Sequence, residues 1–385
     1  MSELLAPKPP CQTLLLHKLM PSPGHNCSNC SVQSCKCASC GGPYTVFYRG
    51  CSTYKFESEV ASLRFRLGLT LHKARQEAHE NLTLGRMTGV LERKELLVGK
   101  RPTDFLCVGP SFEEKPNDIV LIIPGNPGVT GYYTSFMETI YMTLKGTHAV
   151  WAVSHAGHCC TSYTKSQLGK DVYDLNDQLR HKIDFIHDFV PKGAKVTLVG
   201  HSIGCQIILS VLQAFEDSTD INIKYSYLLF PTIERMKDSP NGTRLWPVLC
   251  YFRWLTIFLA IIASFIPKKI KESLLYIYFG RKAHKHVIKA SIELLNPKII
   301  QNVLWMAYSE LNEVLMPNLK ALEKHKGKVM LYYGANDGWC PLSYHQDLIA
   351  KVKEVNAQVC QEGHAHAFVL KSSEPMGEKV AHWIS

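Results

Sequence analysis

The stretch Val196-Thr197-Leu198-Val199-Gly200-His201-Ser202-Ile203-Gly204-Cys205 constrains this chain more than any other. Its first four residues, apolar or β-branched, predict a buried strand, and Ile207, Ile208, Val211, Leu212 and Phe215 follow at helical spacing. Between the two lies a Gly-x-Ser-x-Gly turn, which sets Ser202 at a strand-to-helix corner. Glycines at 200 and 204 bring no Cβ atoms into so sharp a turn. A serine held there, at the positive end of a helix, can act as a nucleophile, with the Ile203 amide aimed where an oxyanion would form. An ordinary βα turn with a capping serine has the same five residues, so partners elsewhere in the chain must decide.

The rest of the chain supplies a matching rhythm. Strands are predicted at 94–98 and 103–108 as a starting hairpin, then at 118–123, 148–153, 196–199, 225–230, 328–333 and 357–361. Helices are predicted at 171–189, 206–215 and 376–384. The run Ile119-Val120-Leu121-Ile122-Ile123 is apolar without alternation, the mark of a strand covered on both faces. Strands alternating with helices mean an α/β fold, a mainly parallel sheet with right-handed crossovers. With 385 residues, 46% of them hydrophobic, the chain can bury one large α/β domain and still carry an extension.

Three predicted strands end in loops with chemistry in them. Pro124-Gly125-Asn126-Pro127-Gly128 is a tight loop, and the Asn126 N–H is the natural second oxyanion donor. Asp337 follows the strand at 328–333, and His364 and His366 follow the strand at 357–361. Loops at the carboxyl ends of parallel strands gather at one edge, and the order Ser202, Asp337, His366 is the Ser, Asp, His order of an α/β-hydrolase. In that arrangement a histidine takes the serine proton and the aspartate orients the imidazole. By spacing alone either His364 or His366 could face the serine. Asn336 is a weaker orienter than Asp337, and His201 is expected to pack beneath the turn.

Residues 235–322 interrupt the rhythm as an insertion where a lid is expected. Its segment 245–266 is 22 residues long with only Arg253 charged, and Lys268, Lys269 and Lys271 follow. Pro247 and Arg253 count against a spanning helix, although about 20 apolar residues would suffice by length. An interfacial or hairpin insertion fits better, with Trp246, Tyr251, Phe252, Trp254 and Phe258 in contact with lipid and the lysines near anionic head groups. A lid helix buried against the core is the alternative.

Residues 1–89 read differently, as a Cys- and Pro-rich extension that is expected to be poorly ordered, ahead of a domain at 90–385. Cys27-x-x-Cys30 and Cys35-x-Cys37-x-x-Cys40 could hold a small zinc knot, but a metal-free tail is the expectation. A basic helix is conceivable at 63–85, with no chemistry attached. Without a recognisable signal peptide, the 14 cysteines are expected to be free thiols in a reducing compartment, and the sequons at Asn81 and Asn241 unused. The net charge of +10 forms no dense basic stripe interleaved with aromatics, which argues against a nucleic-acid partner.

Taken together, several motifs point to a family. Ile-Pro-Gly-Asn-Pro-Gly at 123–128, Gly-His-Ser-Ile-Gly at 200–204, Phe-Pro-Thr-Ile-Glu-Arg-Met at 230–236, Ser-Pro-Asn-Gly at 239–242, Tyr-Tyr-Gly at 332–334 with Asp337-x-Trp-Cys-Pro, and His-Ala-Phe at 366–368 make up the set. It closely resembles the lipid droplet-associated hydrolases from about residue 90 to the end. The resemblance implies an α/β-hydrolase fold and a serine lipid esterase that needs no cofactor or metal, with sterol esters as substrate. It also implies residence on lipid droplets and the cytosolic face of the endoplasmic reticulum, and a part in lipid storage and cholesterol homeostasis. It carries the catalytic roles onto Ser202, Asp337 and His366, favouring His366 over His364. Two other classes fit the same residues: a droplet-surface organising protein with little turnover, and a soluble hydrolase of small acyl esters or thioesters.

Overall fold

The alternation of strands and helices resolves into one eight-stranded sheet. Its strands are β1 (Leu91–Val98), β2 (Arg101–Val108), β3 (Asp118–Ile123), β4 (Ala149–Val153), β5 (Lys195–His201), β6 (Asn222–Leu229), β7 (Val329–Tyr333) and β8 (Asn356–Val359). They lie in the order β1-β2-β4-β3-β5-β6-β7-β8. The first two pairings, β1 with β2 and β2 with β4, are antiparallel, and every later one is parallel. This computed structural model describes residues 89–385 apart from Lys165, together with Val60, residues 70–73 and Arg75. The chain divides into two units, 1–85 and 86–385, and the sheet belongs to the second. The N-terminal cysteine motifs, the sequon at Asn81 and most of the conceivable helix at 63–85 lie outside the described residues.

The helices are α1 (Thr134–Thr143), α2 (Leu175–Phe189), α3 (Ile203–Ala214), α4 (Pro240–Tyr251), α5 (Arg253–Ser264), α6 (Lys268–Phe279), α7 (Lys285–Leu294), α8 (Pro297–Glu313), α9 (Leu319–His325), α10 (Leu342–Lys351) and α11 (Ser373–Ile384). Central strands β3 and β5 explain the core: every residue of β3 after Asp118 is buried, as is every residue of β5 after Lys195. That is the cost-free place for continuous Val, Ile and Leu runs, since both sheet faces are covered. At one rim, β1 keeps Glu92, Arg93, Lys94 and Glu95 in succession, with its first three residues exposed. Local chemistry also fixes helix starts. Asp174 caps α2 by accepting from the Asp177 N–H, Ser239 caps α4 ahead of Pro240, and Asn296 caps α8 ahead of Pro297.

The insertion occupies the connection from β6 to β7 and holds α4 through α9. It departs from one continuous apolar helix over 245–266. Phe252, at φ −117° and ψ 11°, leaves the helical region and separates α4 from α5 at an angle of 80°. No single helix among the described residues is long and apolar enough to cross a membrane. Arg253 begins α5 just past the break. Its guanidinium lies over the rings of Trp305 and Tyr308 on α8, at 4.8 and 5.1 Å, so the charge is held against aromatic faces of the lid. Trp246, expected at a lipid boundary, is half-buried, stacks on Tyr308 at 5.9 Å and has the Lys237 ammonium over its ring at 3.7 Å. Phe252, Trp254 and Phe258 do face outward, at 51%, 67% and 52% exposure.

Candidate active site

Ser202 sits between β5 and α3 with φ 55° and ψ −121°, a backbone conformation that side chains other than glycine rarely take. Neighbouring backbone holds it there: its N–H donates to the Leu229 carbonyl at 3.0 Å, and its carbonyl accepts from the Cys205 N–H at 3.0 Å. Gly204 is required by what lies against it, because a Cβ there would come within 2.2 Å of the Ile123 carbonyl oxygen at the end of β3. The same packing brings the loop after β3 close; a Cβ on Gly125 would be 2.9 Å from that of Ser202.

The loops after β7 and β8 bring two side chains to this corner. His366 Nε2 lies 2.9 Å from Ser202 Oγ, and His366 Nδ1 lies 2.7 Å from Asp337 Oδ2. His364 does not take this position. Asp337 is itself anchored. Its Oδ1 accepts from the Trp339 N–H at 2.8 Å and the Cys340 N–H at 3.3 Å, and its Oδ2 accepts from the Cys340 thiol at 3.1 Å. Burial by itself would raise this carboxyl, but the hydrogen bond and charge of His366, with Cys340 and Trp339, hold it below the usual carboxylate range. Burial pushes the Cys340 thiol well up, so it stays protonated and donates. An ionised carboxylate against Nδ1 fixes the imidazole with its proton on Nδ1 and its lone pair on Nε2, toward the serine. The Asp337 side chain is 1% exposed and that of His366 17%, so the orienting end is dry and the working end opens outward.

The second expected donor, the Asn126 N–H, lies in the loop after β3, and neither it nor the Ile203 N–H has a hydrogen-bond acceptor among the described residues. Asn126 is held from the lid. Its side-chain amide donates to the Val303 carbonyl and to Glu310 Oε1 of α8, each at 3.0 Å. Glu310 does not stand out in the sequence, where a Glu in a helix reads as a solvated face; Cys340 belongs to the Asp337-x-Trp-Cys-Pro motif, but its bond to Asp337 is not legible from that motif. Thr232, in the Phe-Pro-Thr motif, places its hydroxyl 3.5 Å from Ser202 Oγ.

Two sets among the described residues bring His, Cys and carboxylate atoms within 4.8 Å of one another: Asp337, Cys340 and His366, and Cys360, Glu362 and His364. Hydrogen bonding engages the first set internally and with Ser202. In the second, Glu362 is paired with Lys379 at 2.6 Å and accepts from the Tyr332 hydroxyl at 2.8 Å. Chemically, a serine at a tight turn, a base with its lone pair on that serine, a buried carboxylate behind the base and two free amides nearby can transfer an acyl group from an ester.

Comparison with known proteins agrees with the motifs. The lipid-droplet associated hydrolase family matches residues 116–369. A lipid droplet-associated hydrolase of Gallus gallus is 35% identical over 278 residues, 70% of this chain and 85% of that protein. The one from Homo sapiens is 31% identical over 306 residues, 74% of this chain and 92% of that protein. Among solved structures, a haloalkane dehalogenase from Agrobacterium tumefaciens superposes with a TM-score of 0.55 at 13% identity, over 78% of this chain and 98% of its own. A thioesterase domain from the curacin biosynthetic pathway does so with a TM-score of 0.51 at 15% identity, over 76% of this chain and 99% of its own. At such identities these two share the α/β-hydrolase fold and nothing more specific.

Proposed function

This chain belongs to the lipid droplet-associated hydrolases, and from that membership and the geometry around Ser202 we propose that it is a serine hydrolase of neutral-lipid esters acting at a droplet surface. The observation that carries the reading is the continuous path from Ser202 Oγ through His366 to Asp337, at 2.9 and 2.7 Å. In the proposed reaction, His366 Nε2 takes the Ser202 proton as Oγ bonds to the ester carbon. The carbonyl oxygen becomes an oxyanion facing the Ile203 and Asn126 amides. Collapse expels the alcohol, which receives the proton from His366, and leaves an acyl-Ser202 that water hydrolyses by the same steps. Asp337 stays ionised and stabilises the imidazolium.

Sterol esters are the proposed substrate, on the strength of the family resemblance, with lipid storage and cholesterol balance as the physiological setting. Seating on the droplet, or on the endoplasmic reticulum surface facing the cytosol, is proposed for the outward face of α5 and α6. Phe252, Trp254 and Phe258 are joined there by Phe265, Ile277 and Tyr278, at 82%, 79% and 80% exposure. So many large apolar side chains exposed on two successive helices call for a partner. Lys268, Lys269 and Lys271 begin α6 beside it, suited to anionic head groups.

The test is a substrate panel from short acyl esters to cholesteryl esters and triglyceride, run with Ser202→Ala as blank, alongside labelling by a fluorophosphonate. Wild type should be labelled and turn over cholesteryl ester, and Ser202→Ala should do neither. Labelling without turnover of any lipid ester would favour an organising role on the droplet; turnover of short esters alone would favour a small-acyl hydrolase.

A further inference from the structure

We infer that His201 and Tyr133 form a buried positioning relay that sets the backbone of His366 and the oxyanion loop relative to Ser202, an inference that rests on Ser202 being the nucleophile. His201 is the residue before the serine, and it is buried beneath the turn. Its Nε2 lies 2.8 Å from the backbone carbonyl oxygen of His366. A carbonyl can only accept, so Nε2 carries the proton. Nδ1 is then an acceptor, and the Tyr133 hydroxyl, 2.7 Å away, donates to it. That hydroxyl in turn accepts the Gly125 N–H at 2.9 Å.

One assignment of protons therefore satisfies all three hydrogen bonds. A second proton on His201 would leave the Tyr133 hydroxyl accepting from two sides, with its own hydrogen facing a donor. Burial, with His366 close by, pushes the His201 imidazole down to about 3, so it is neutral near neutral pH. Rings close the relay off. Phe368 packs edge-on to His201 at 4.9 Å and Phe230 at 6.3 Å.

Each end of the relay is one peptide unit or less from an atom that would take part in acyl transfer. Gly125 precedes Asn126, His201 precedes Ser202, and the carbonyl belongs to His366 itself. His201 ends β5, and the other two lie in the loops after β3 and β8; the three segments are far apart in sequence, and β8 lies three strands from β5 in the sheet. Losing the bond to the His366 carbonyl frees the loop that aims Nε2, while losing the bond to Gly125 frees the amide beside the oxyanion donor. Neither His201 nor Tyr133 is placed to touch substrate, so both are positioning residues whose loss falls on kcat.

The experiment measures fluorophosphonate labelling rate, kcat and KM on a soluble acyl ester, and Tm, for the full chain carrying Tyr133→Phe, His201→Gln, His201→Leu and the double Tyr133→Phe/His201→Leu. Tyr133→Phe should slow labelling and kcat about tenfold and His201→Leu up to about a hundredfold, with KM within about twofold, as expected for buried hydrogen bonds lost one or two at a time. His201→Gln, whose amide can still donate to the His366 carbonyl, should recover part of the loss. The double variant should be no slower than His201→Leu, because the two residues act in one chain. Labelling at the wild-type rate in Tyr133→Phe and His201→Gln, or single effects that multiply in the double, overturns the relay alone. Wild type that is not labelled, or Ser202→Ala that is, overturns the nucleophile and the relay with it.

Discussion

Glu310 on α8 is enclosed, and its carboxyl accepts a hydrogen bond from the Asn126 side chain at 3.0 Å. Burial outweighs that bond and pushes the group up to about 8. A folded value above the unfolded one means that the folded state holds the proton more tightly. The resulting stability is fully present below about 4.5 and is lost as pH rises through about 8. Glu310→Gln keeps an oxygen for Asn126 and cannot ionise. Its stability relative to wild type should therefore grow between pH about 5 and about 8 and level off above, read from melting curves across that range. A difference that does not vary with pH would mean the carboxyl is not held neutral. Of the residues gathered at the corner, Ser202, Asp337 and His366 can be picked out in the sequence because each follows a predicted strand, in one order. His364 and His366 share a loop, so spacing could not separate them. Tyr133 and Glu310 carry no local signal at all, since what they do depends on loops and helices far away in sequence.

At the scale of elements, α5 and α6 differ from every other pair. Among the described residues α5 buries only Ala260 and α6 buries none. If this face seats on lipid, Phe258→Asp with Ile277→Asp should lower binding to phospholipid-coated triglyceride droplets at least about tenfold while leaving labelling of Ser202 in solution unchanged. Trp246→Ala should instead lower Tm, because that ring packs on Tyr308 inside the lid. Flotation and thermal melts read the two outcomes, and unaltered flotation of the Asp variant would remove the seat from α5 and α6. Composition made the apolar run of 245–266 visible. Its break at Phe252 has no signal in composition, and the contacts that Arg253 makes just past it are with Trp305 and Tyr308, about fifty positions further along.

At the scale of the whole molecule, the alternation of strands is legible because buried parallel strands have little choice of residue. Strand ends are read less well, at the edges and inside: β8 spans Asn356–Val359 against an expected 357–361, β1 starts at Leu91 against 94, and β6 starts at Asn222 against 225. The sheet and the corner both lie within residues 86–385. That piece alone should melt cooperatively and be labelled at Ser202 at the rate of the full chain; a piece that fails to fold would mean the first unit is needed for stability. The charged rim of β1 matters when many copies share a droplet. Four consecutive ionic side chains from Glu92 to Glu95 make a poor template for a neighbour's strand. Copies concentrated by a common lipid phase can thus meet β1 edge to β1 edge without pairing those strands.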